Sequence, residues 1–345
     1  MKFKHTYSPL FLAFFLIWTA CSKTGGPDEQ NDNSNKDFTI AVLNEGNYTW
    51  SNASLTMIHE DSGIVRQNYF ESVNNAPLGD VAQSFTRCNE SIFIVVNNSG
   101  KIEEVDAKTW ERKRTLGGLT SPRYILPIND QKAYVSDLYA NAIHIVDLQT
   151  FEKTGEIPMN GWTEQMVLYR QLVWVVEVEN KTVKAINTLT DQVVETLFLD
   201  ATPRSMSMSS NYFEVLASNE GESLTYFYSF DGEGKNIDLK PALLDGNCSM
   251  LRYGYGCIEA SQHYYICDNS KVYRSRTFNA GSQELILDLS GRNIYGFEII
   301  DDYLYFCDAK DYARNGVLLK YTLSDNPVFV DSFTTGRIPQ AILGL

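Results

Sequence analysis

Ser91-Ile92-Phe93-Ile94-Val95-Val96-Asn97 is the stretch on which the fold turns. A run of β-branched and aromatic residues this short and apolar, closed by an amide, reads as a buried strand ending in a turn. Further on, Asp106-Ala107-Lys108-Thr109 marks a second turn, after a third strand. The strand signal returns at Thr39-Ile40-Ala41-Val42, Ala133-Tyr134-Val135, Val173-Trp174-Val175-Val176, Phe213-Glu214-Val215-Leu216-Ala217, Tyr264-Tyr265-Ile266-Cys267 and Tyr303-Leu304-Tyr305-Phe306-Cys307. The spacing is close to 40 residues apart from two longer steps, which suits four-stranded propeller units of roughly 40–50 residues. No amphipathic helix of three turns interrupts the series. The expectation is an all-β, seven-bladed β-propeller of four-stranded blades.

The ends of the repeat carry a further expectation. No room for a first strand exists before Val42, whereas Arg337-Ile338-Pro339-Gln340-Ala341-Ile342-Leu343 reads as a first strand with no blade after it. The C-terminal strand is therefore predicted to pair into blade one, which leaves no open sheet edge for aggregation. The propeller is predicted over residues 38–345.

Residues 1–20 have the layout of an export signal: Lys2, Lys4 and His5, an apolar run from Leu10 to Trp18, then Thr19-Ala20. The run is about half the ~20 residues of a transmembrane helix. Thr19-Ala20-Cys21 resembles a bacterial lipobox, with Trp18 where Leu is usual; the alternative is an ordinary signal peptide with an incidental cysteine. Acyl chains on Cys21 would anchor the protein, each buried CH₂ contributing about 0.8 kcal/mol. Residues 22–37 contain no aliphatic or aromatic side chain and read as a flexible tether. Asp28-Glu29 loosely resembles a surface-export signal. The expected location is the outer membrane, lipid-anchored and facing the exterior.

A net charge of −14 argues against nucleic acid and against an anionic membrane surface. Cys88, Cys248, Cys257, Cys267 and Cys307 follow Cys21, an odd number without metal-site spacing. At least one is expected to be a free thiol, and Cys267 and Cys307 to be small buried hydrophobes.

In a four-stranded blade, the entry into the first strand and the turn after the second lie on one face. Aligning the units places Gln83, Arg123, Gln165, Arg204, Tyr255, Tyr295 and Gln340 near the start of successive first strands. All can hydrogen-bond. A second ring follows the second strands: Asn44, Asn97, Asp137, Glu177, Asn219, Asp268 and Asp308. Turn chemistry alone accounts for part of that ring, since Asn and Asp satisfy local backbone groups, and a wet channel with no ligand would account for part of the first. Tyr48, Trp50, Tyr139, Trp162, Tyr253, Tyr255 and Tyr312 fall in the same loops, and Arg123, Arg204, Arg252 and Arg337 are candidates to hold a phosphate or carboxylate. Together these residues suit a large planar ligand fringed with N–H donors.

No catalytic constellation is present. His59, His144 and His263 fall in separate blades, and the sequence contains no G-x-S-x-G elbow, P-loop or dinucleotide fingerprint. The residues point to no metal and no cofactor, and the protein is expected to bind rather than to transform. A calcium-assisted hydrolase remains as an alternative, because acids are plentiful.

Val42-Leu43-Asn44-Glu45-Gly46-Asn47-Tyr48, followed by Ser51-Asn52-Ala53-Ser54-Leu55, resembles the opening of surface lipoproteins related to the YncE-type propellers of Bacteroidetes. The resemblance extends to the lipobox, the acidic tether, the blade length and Gly336-Arg337-Ile338-Pro339-Gln340. Within that group the chain is similar to the BtuG-type proteins. That resemblance implies capture of a corrinoid (vitamin B12) on one propeller face and transfer to an outer-membrane TonB-dependent transporter. A glycan, peptide or haem ligand, or docking onto a receptor, is the competing expectation.

Overall fold

In a computed structural model, residues 38–208, 212–235, 242–246, 248–255, 261–267, 270–275 and 284–345 are described. The export signal, Cys21 and the tether lie outside them, as do Cys257 and Asp268.

The strands are numbered along the chain and group into four-stranded antiparallel sheets. Blade one draws on both ends: β1 (Ile40–Asn44), β2 (Ser54–His59) and β3 (Ile64–Arg66) are joined at the inner edge by β28 (Pro339–Gly344). Blade two is β4 (Ala82–Cys88), β5 (Ser91–Val96), β6 (Lys101–Asp106) and β7 (Arg112–Leu116). Blade three is β8 (Pro122–Pro127), β9 (Lys132–Asp137), β10 (Ala142–Asp147) and β11 (Glu152–Pro158). Blade four is β12 (Thr163–Tyr169), β13 (Leu172–Glu177), β14 (Thr182–Asn187) and β15 (Gln192–Phe198). β16 (Pro203–Met208), β17 (Tyr212–Ala217), β18 (Leu224–Asp231) and β19 (Ala242–Asp245) follow. Then come β20 (Cys248–Tyr255), β21 (Ser261–Cys267), β22 (Lys271–Ser275) and β23 (Glu284–Asp288). The last sheet is β24 (Ile294–Ile300), β25 (Tyr303–Asp308), β26 (Asn315–Thr322) and β27 (Phe329–Arg337). Neighbouring first strands touch in the cyclic order β28, β4, β8, β12, β16, β20, β24 and back to β28, which is the closed ring of a propeller.

The expectation of seven equivalent blades is corrected. Six blades share one plan, a four-stranded sheet with a hydrogen-bonding residue near the start of its first strand. The sheet of β20–β23 departs from it: Met250 stands at that position with φ 55°, and Cys248 beside it is disulfide-bonded. A thioether there cannot do what an amide, phenol or guanidinium does.

The turns between third and fourth strands show why the local sequence folds this way. Asp106 Oδ1 accepts from the backbone N–H of Lys108 and Thr109 at 2.9 and 3.0 Å, and Asp147 repeats this with Gln149 and Thr150. Trp110 and Phe151 close these turns in the left-handed conformation, φ 62° and 57°. Both rings are buried between blades.

The core lies between sheets. Trp174, Phe213 and Phe230 stack with ring centroids 5.0 Å apart at each step, and the Trp174 indole N–H donates to Gly232 O at 3.0 Å. Closure follows the register Ala41↔Leu343, Val42↔Ile342 and Leu43↔Ala341. A short helix, α1 (Tyr69–Asn74), fills part of the first long step and buries Phe70 in the same cluster as Trp110. Cys88 and Cys307 are free thiols, and Cys307 is fully buried.

Candidate functional site

The first ring stands on a repeated irregularity. Each first strand bulges just after it starts. In β4 the register shifts between Ala82 and Ser84, which takes Gln83 out of the ladder. The same shift frees Arg123 and Tyr124 in β8, Glu164 and Gln165 in β12, Arg204 in β16, Tyr295 in β24 and Gln340 in β28. A bulge re-aims the side chain it carries. Here it presents Gln83, Gln165, Arg204, Tyr295 and Gln340 to one cavity of about 280 Å³, together with Tyr124 and Met250. Arg123 lies against that wall, bonded to Gln83.

Tyr255 is a correction. It ends β20, paired with Ser261, while the bulge of that strand lies between Ser249 and Arg252. Tyrosine and glycine alternate near the strand's end, Tyr253-Gly254-Tyr255, and a first-strand start could be read there as well as at Cys248.

Hydrogen bonds knit the ring across blades. Arg123 donates from Nε to Glu164 Oε1 at 2.7 Å and from Nη1 to Gln83 Oε1 at 2.5 Å. Trp162 Nε1 also donates to Glu164 Oε1, at 2.6 Å. Gln340 Nε2 donates to the carbonyls of Ala82 and Gln83 at 2.5 and 2.8 Å, and Gln165 Nε2 to the Tyr124 hydroxyl at 3.2 Å. Burial holds the Glu164 carboxyl above the usual carboxylate range, against the opposing pull of Arg123 and Trp162. Burial does the same to Glu45, which hydrogen-bonds Tyr295. Tyr295 is in turn pushed well up by burial and by the Glu45 charge. Arg204 is exposed, and its Nε donates to Ser218 Oγ at 3.1 Å.

The described members of the second ring bond to protein groups, five of them buried and Asn219 at the surface. Asn44 is fully buried and donates to Ser54 Oγ and Thr56 Oγ1 at 3.2 and 3.0 Å. Asn97 donates to Ser121 Oγ at 2.9 Å and stitches blade two to blade three. Asp137 accepts from the N–H groups of Ser121, Tyr139 and Ala140 and faces His144 at 3.2 Å. Burial raises its carboxyl, but these donors outweigh burial and the net shift is downward. Glu177 takes Lys184 and Thr182 at 2.9 Å each, and Asp308 takes Arg292 at 3.1 Å. Asn219 accepts from Lys181 at 2.8 Å at the surface. All six hold protein partners, as buried polar groups must, although the Asn44 Oδ1 acceptor is itself left without one among the described residues.

The aromatic loops divide. Tyr48, Trp50 and Tyr139 stand about 70% exposed. Tyr312 meets Tyr295 edge to face at 5.7 Å, and the Arg337 guanidinium lies 6.0 Å from the centre of the Trp50 ring. Asn47 Nδ2 donates to Tyr312 O at 2.7 Å and fastens blade one's loop to that of β25 and β26. Trp162 is part-buried on Glu164. The side chains of Arg252 and Tyr253 are not among those described. Sequence reasoning missed Glu45, Glu164, Tyr124 and Met250; the two-residue bulges that free Tyr124 and Glu164 leave no signal in an alignment that allows one residue per strand. Among the described residues, no three His, Cys, Asp or Glu side chains group as for a metal.

Fold and site define a closed β-propeller whose central cavity is lined by polar side chains raised on bulges. The chain belongs to the family described as Domain of unknown function (DUF5074), which it matches over residues 39–243. No curated protein matches it in sequence. Its fold is similar to that of a quinonprotein alcohol dehydrogenase-like protein from Bacteroides thetaiotaomicron, with TM-score 0.69 and 13% identity over 89% of this chain and 78% of that one. AztD from Citrobacter koseri is similar at TM-score 0.56 and 9% identity, covering 89% and 98%. BamB from Moraxella catarrhalis gives TM-score 0.52 and 16% identity, covering 86% and 82%.

Proposed function

We propose that this propeller is an exported, lipid-anchored binding protein of the outer-membrane surface. In this reading it captures a corrinoid on the face bearing the bulge ring and passes it to a TonB-dependent transporter, without transforming it. The observation that carries the binding reading is the ring itself: six first strands break their ladder at the same place and turn a hydrogen-bonding side chain toward the centre. A bulge costs ladder hydrogen bonds, and one that recurs beside a cavity is a feature of sites. The corrinoid is favoured by the resemblance of the opening motif and by the fit of amide, phenol and guanidinium groups to a ligand fringed with amides and bearing one phosphate.

The cavity of about 280 Å³ is small beside typical ligand pockets of roughly 300–1,000 Å³. A disc would lie across the face, with only an arm entering. Titration of the protein from Ser22 onward with cyanocobalamin, followed by gel filtration, tests this. Co-elution of the corrin absorbance in a one-to-one ratio is expected; a colourless protein peak at micromolar ligand rejects the corrinoid. The exposed rings of Tyr48 and Trp50 favour a second reading, a glycan or peptide stacked on the rim. That ligand would lose binding on removal of the rim rings and keep it on removal of Arg204.

A further inference from the structure

We infer that Arg204 is an anion anchor: the ligand carries a phosphate or carboxylate that enters the central cavity and is held there by this guanidinium. The inference rests on the binding reading above and specifies what the ligand must present.

The other described arginines of this face are engaged. Arg123 is neutralised by Glu164 and held by Gln83. Arg292 pairs with Asp308 at 3.1 Å and Arg314 with Asp311 at 2.7 Å, and Arg337 lies over Trp50. Arg204 differs. Among the described residues its one hydrogen bond runs from Nε to Ser218 Oγ, and Ser218 is fully buried. That bond orients the guanidinium plane and leaves both terminal nitrogens, with four N–H donors, toward the cavity it lines. A planar fork in this arrangement matches the two oxygens of a phosphate or carboxylate.

Charge strengthens the argument. The chain carries 43 acidic and 29 basic side chains, so acids to neutralise an arginine are plentiful, and the ring's other arginine has been given one. The neighbouring wall adds acceptors: with the Nε2 groups of Gln165 and Gln340 spent on Tyr124 and on backbone carbonyls, their Oε1 atoms remain for ligand N–H groups. The cavity thus offers a cationic pole at β16 and amide acceptors at β12 and β28. An arm bearing both an anion and amide N–H groups satisfies both.

The test compares cyanocobalamin, which carries one phosphodiester, with dicyanocobinamide, which has the same corrin ring and no phosphate, by isothermal titration. Wild type should bind cyanocobalamin at least tenfold more tightly. Arg204→Gln should weaken cyanocobalamin about 10- to 100-fold, the range of a charge-assisted hydrogen bond, and leave cobinamide unchanged. Arg314→Gln is the surface control. Equal weakening of both ligands by Arg204→Gln, or of neither, overturns the anchor. If wild type binds neither corrinoid, the corrinoid reading fails, and the anchor is then tested with inorganic phosphate and with acetate in thermal unfolding. A rise in Tm that Arg204→Gln abolishes sustains it, and the more effective anion shows which source is preferred. No rise in wild type with either anion overturns it.

Discussion

Replacing Gly296 by alanine should strike fold and site together. Gly296 follows the bulge of β24, and a Cβ built on it would stand 2.1 Å from Gln340 O, 2.6 Å from Gln340 C and 3.0 Å from Gln340 Cα. All three are backbone atoms, so no side chain can swing aside. Reaching 3.4 Å, the near edge of ordinary contact, requires β28 to retreat by about 1.3 Å, the difference from 2.1 Å. Overpacking of this kind costs about 1–3 kcal/mol. Weakening the two bonds from Gln340 to Ala82 and Gln83 adds roughly 1 kcal/mol each. At about 2 °C per kcal/mol for a domain of this size, Tm should fall by roughly 6–10 °C. Tyr295 and Gln340 flank the clash, so ligand affinity should fall as well. Gly117→Ala, whose Cβ meets nothing within 4 Å, is the control and should melt like wild type. Coincident melting of the two variants by scanning calorimetry would refute the packing of β24 on β28 and, with it, the coupling of closure to the ring.

Glu60 of blade one accepts from Lys320 and Tyr305 of the neighbouring blade, at 2.7 Å each, and from Thr39 at 2.8 Å. Burial raises its carboxyl, but these partners outweigh burial and the net shift is downward. The stability it contributes is therefore present above its unfolded value, about 4.3, and is lost as pH falls through the depressed folded value. Glu60→Gln should cost about 2–3 kcal/mol at neutral pH in urea unfolding, with the gap to wild type closing only in acid; a gap independent of pH would exclude the ion pair as its source. Ending the chain at Ile338 removes β28 and exposes the edge of β1, so cooperative melting should give way to aggregation in light scattering; a soluble, cooperatively melting product would show closure to be dispensable. Trp50→Ala should change stability by no more than about 0.5 kcal/mol, as for other exposed sites, while weakening the ligand; unchanged affinity would remove the rim loop from the site.

The strands were legible because their signals are local. A second strand buried on both sides must be continuously apolar, and Asp106 and Asp147 begin turns that their own side chains hold. The first ring was legible in residue type and, for six members, in place. It failed at Tyr255 because a bulge alters the count between a first strand and its partner, and the sequence does not mark where the extra residue falls. The second ring was legible only as chemistry. Its acids and amides are there, but whether Asn44 or Glu177 faces a ligand or a neighbouring strand depends on partners that come from elsewhere in the fold, such as Thr56 and Lys184.

The sequence by itself determined the all-β repeat, the turn chemistry and the strand at Pro339–Gly344 that seeks a blade. Each depends on the periodicity of side chains and on bonds spanning a few residues. Only the tertiary structure decided which arginine is neutralised and which is not, which carboxyls are buried and raised, and that Gln340 bonds across to Gln83. Those outcomes depend on distances between residues far apart in the chain, and such distances are set by how the sheets pack around the ring.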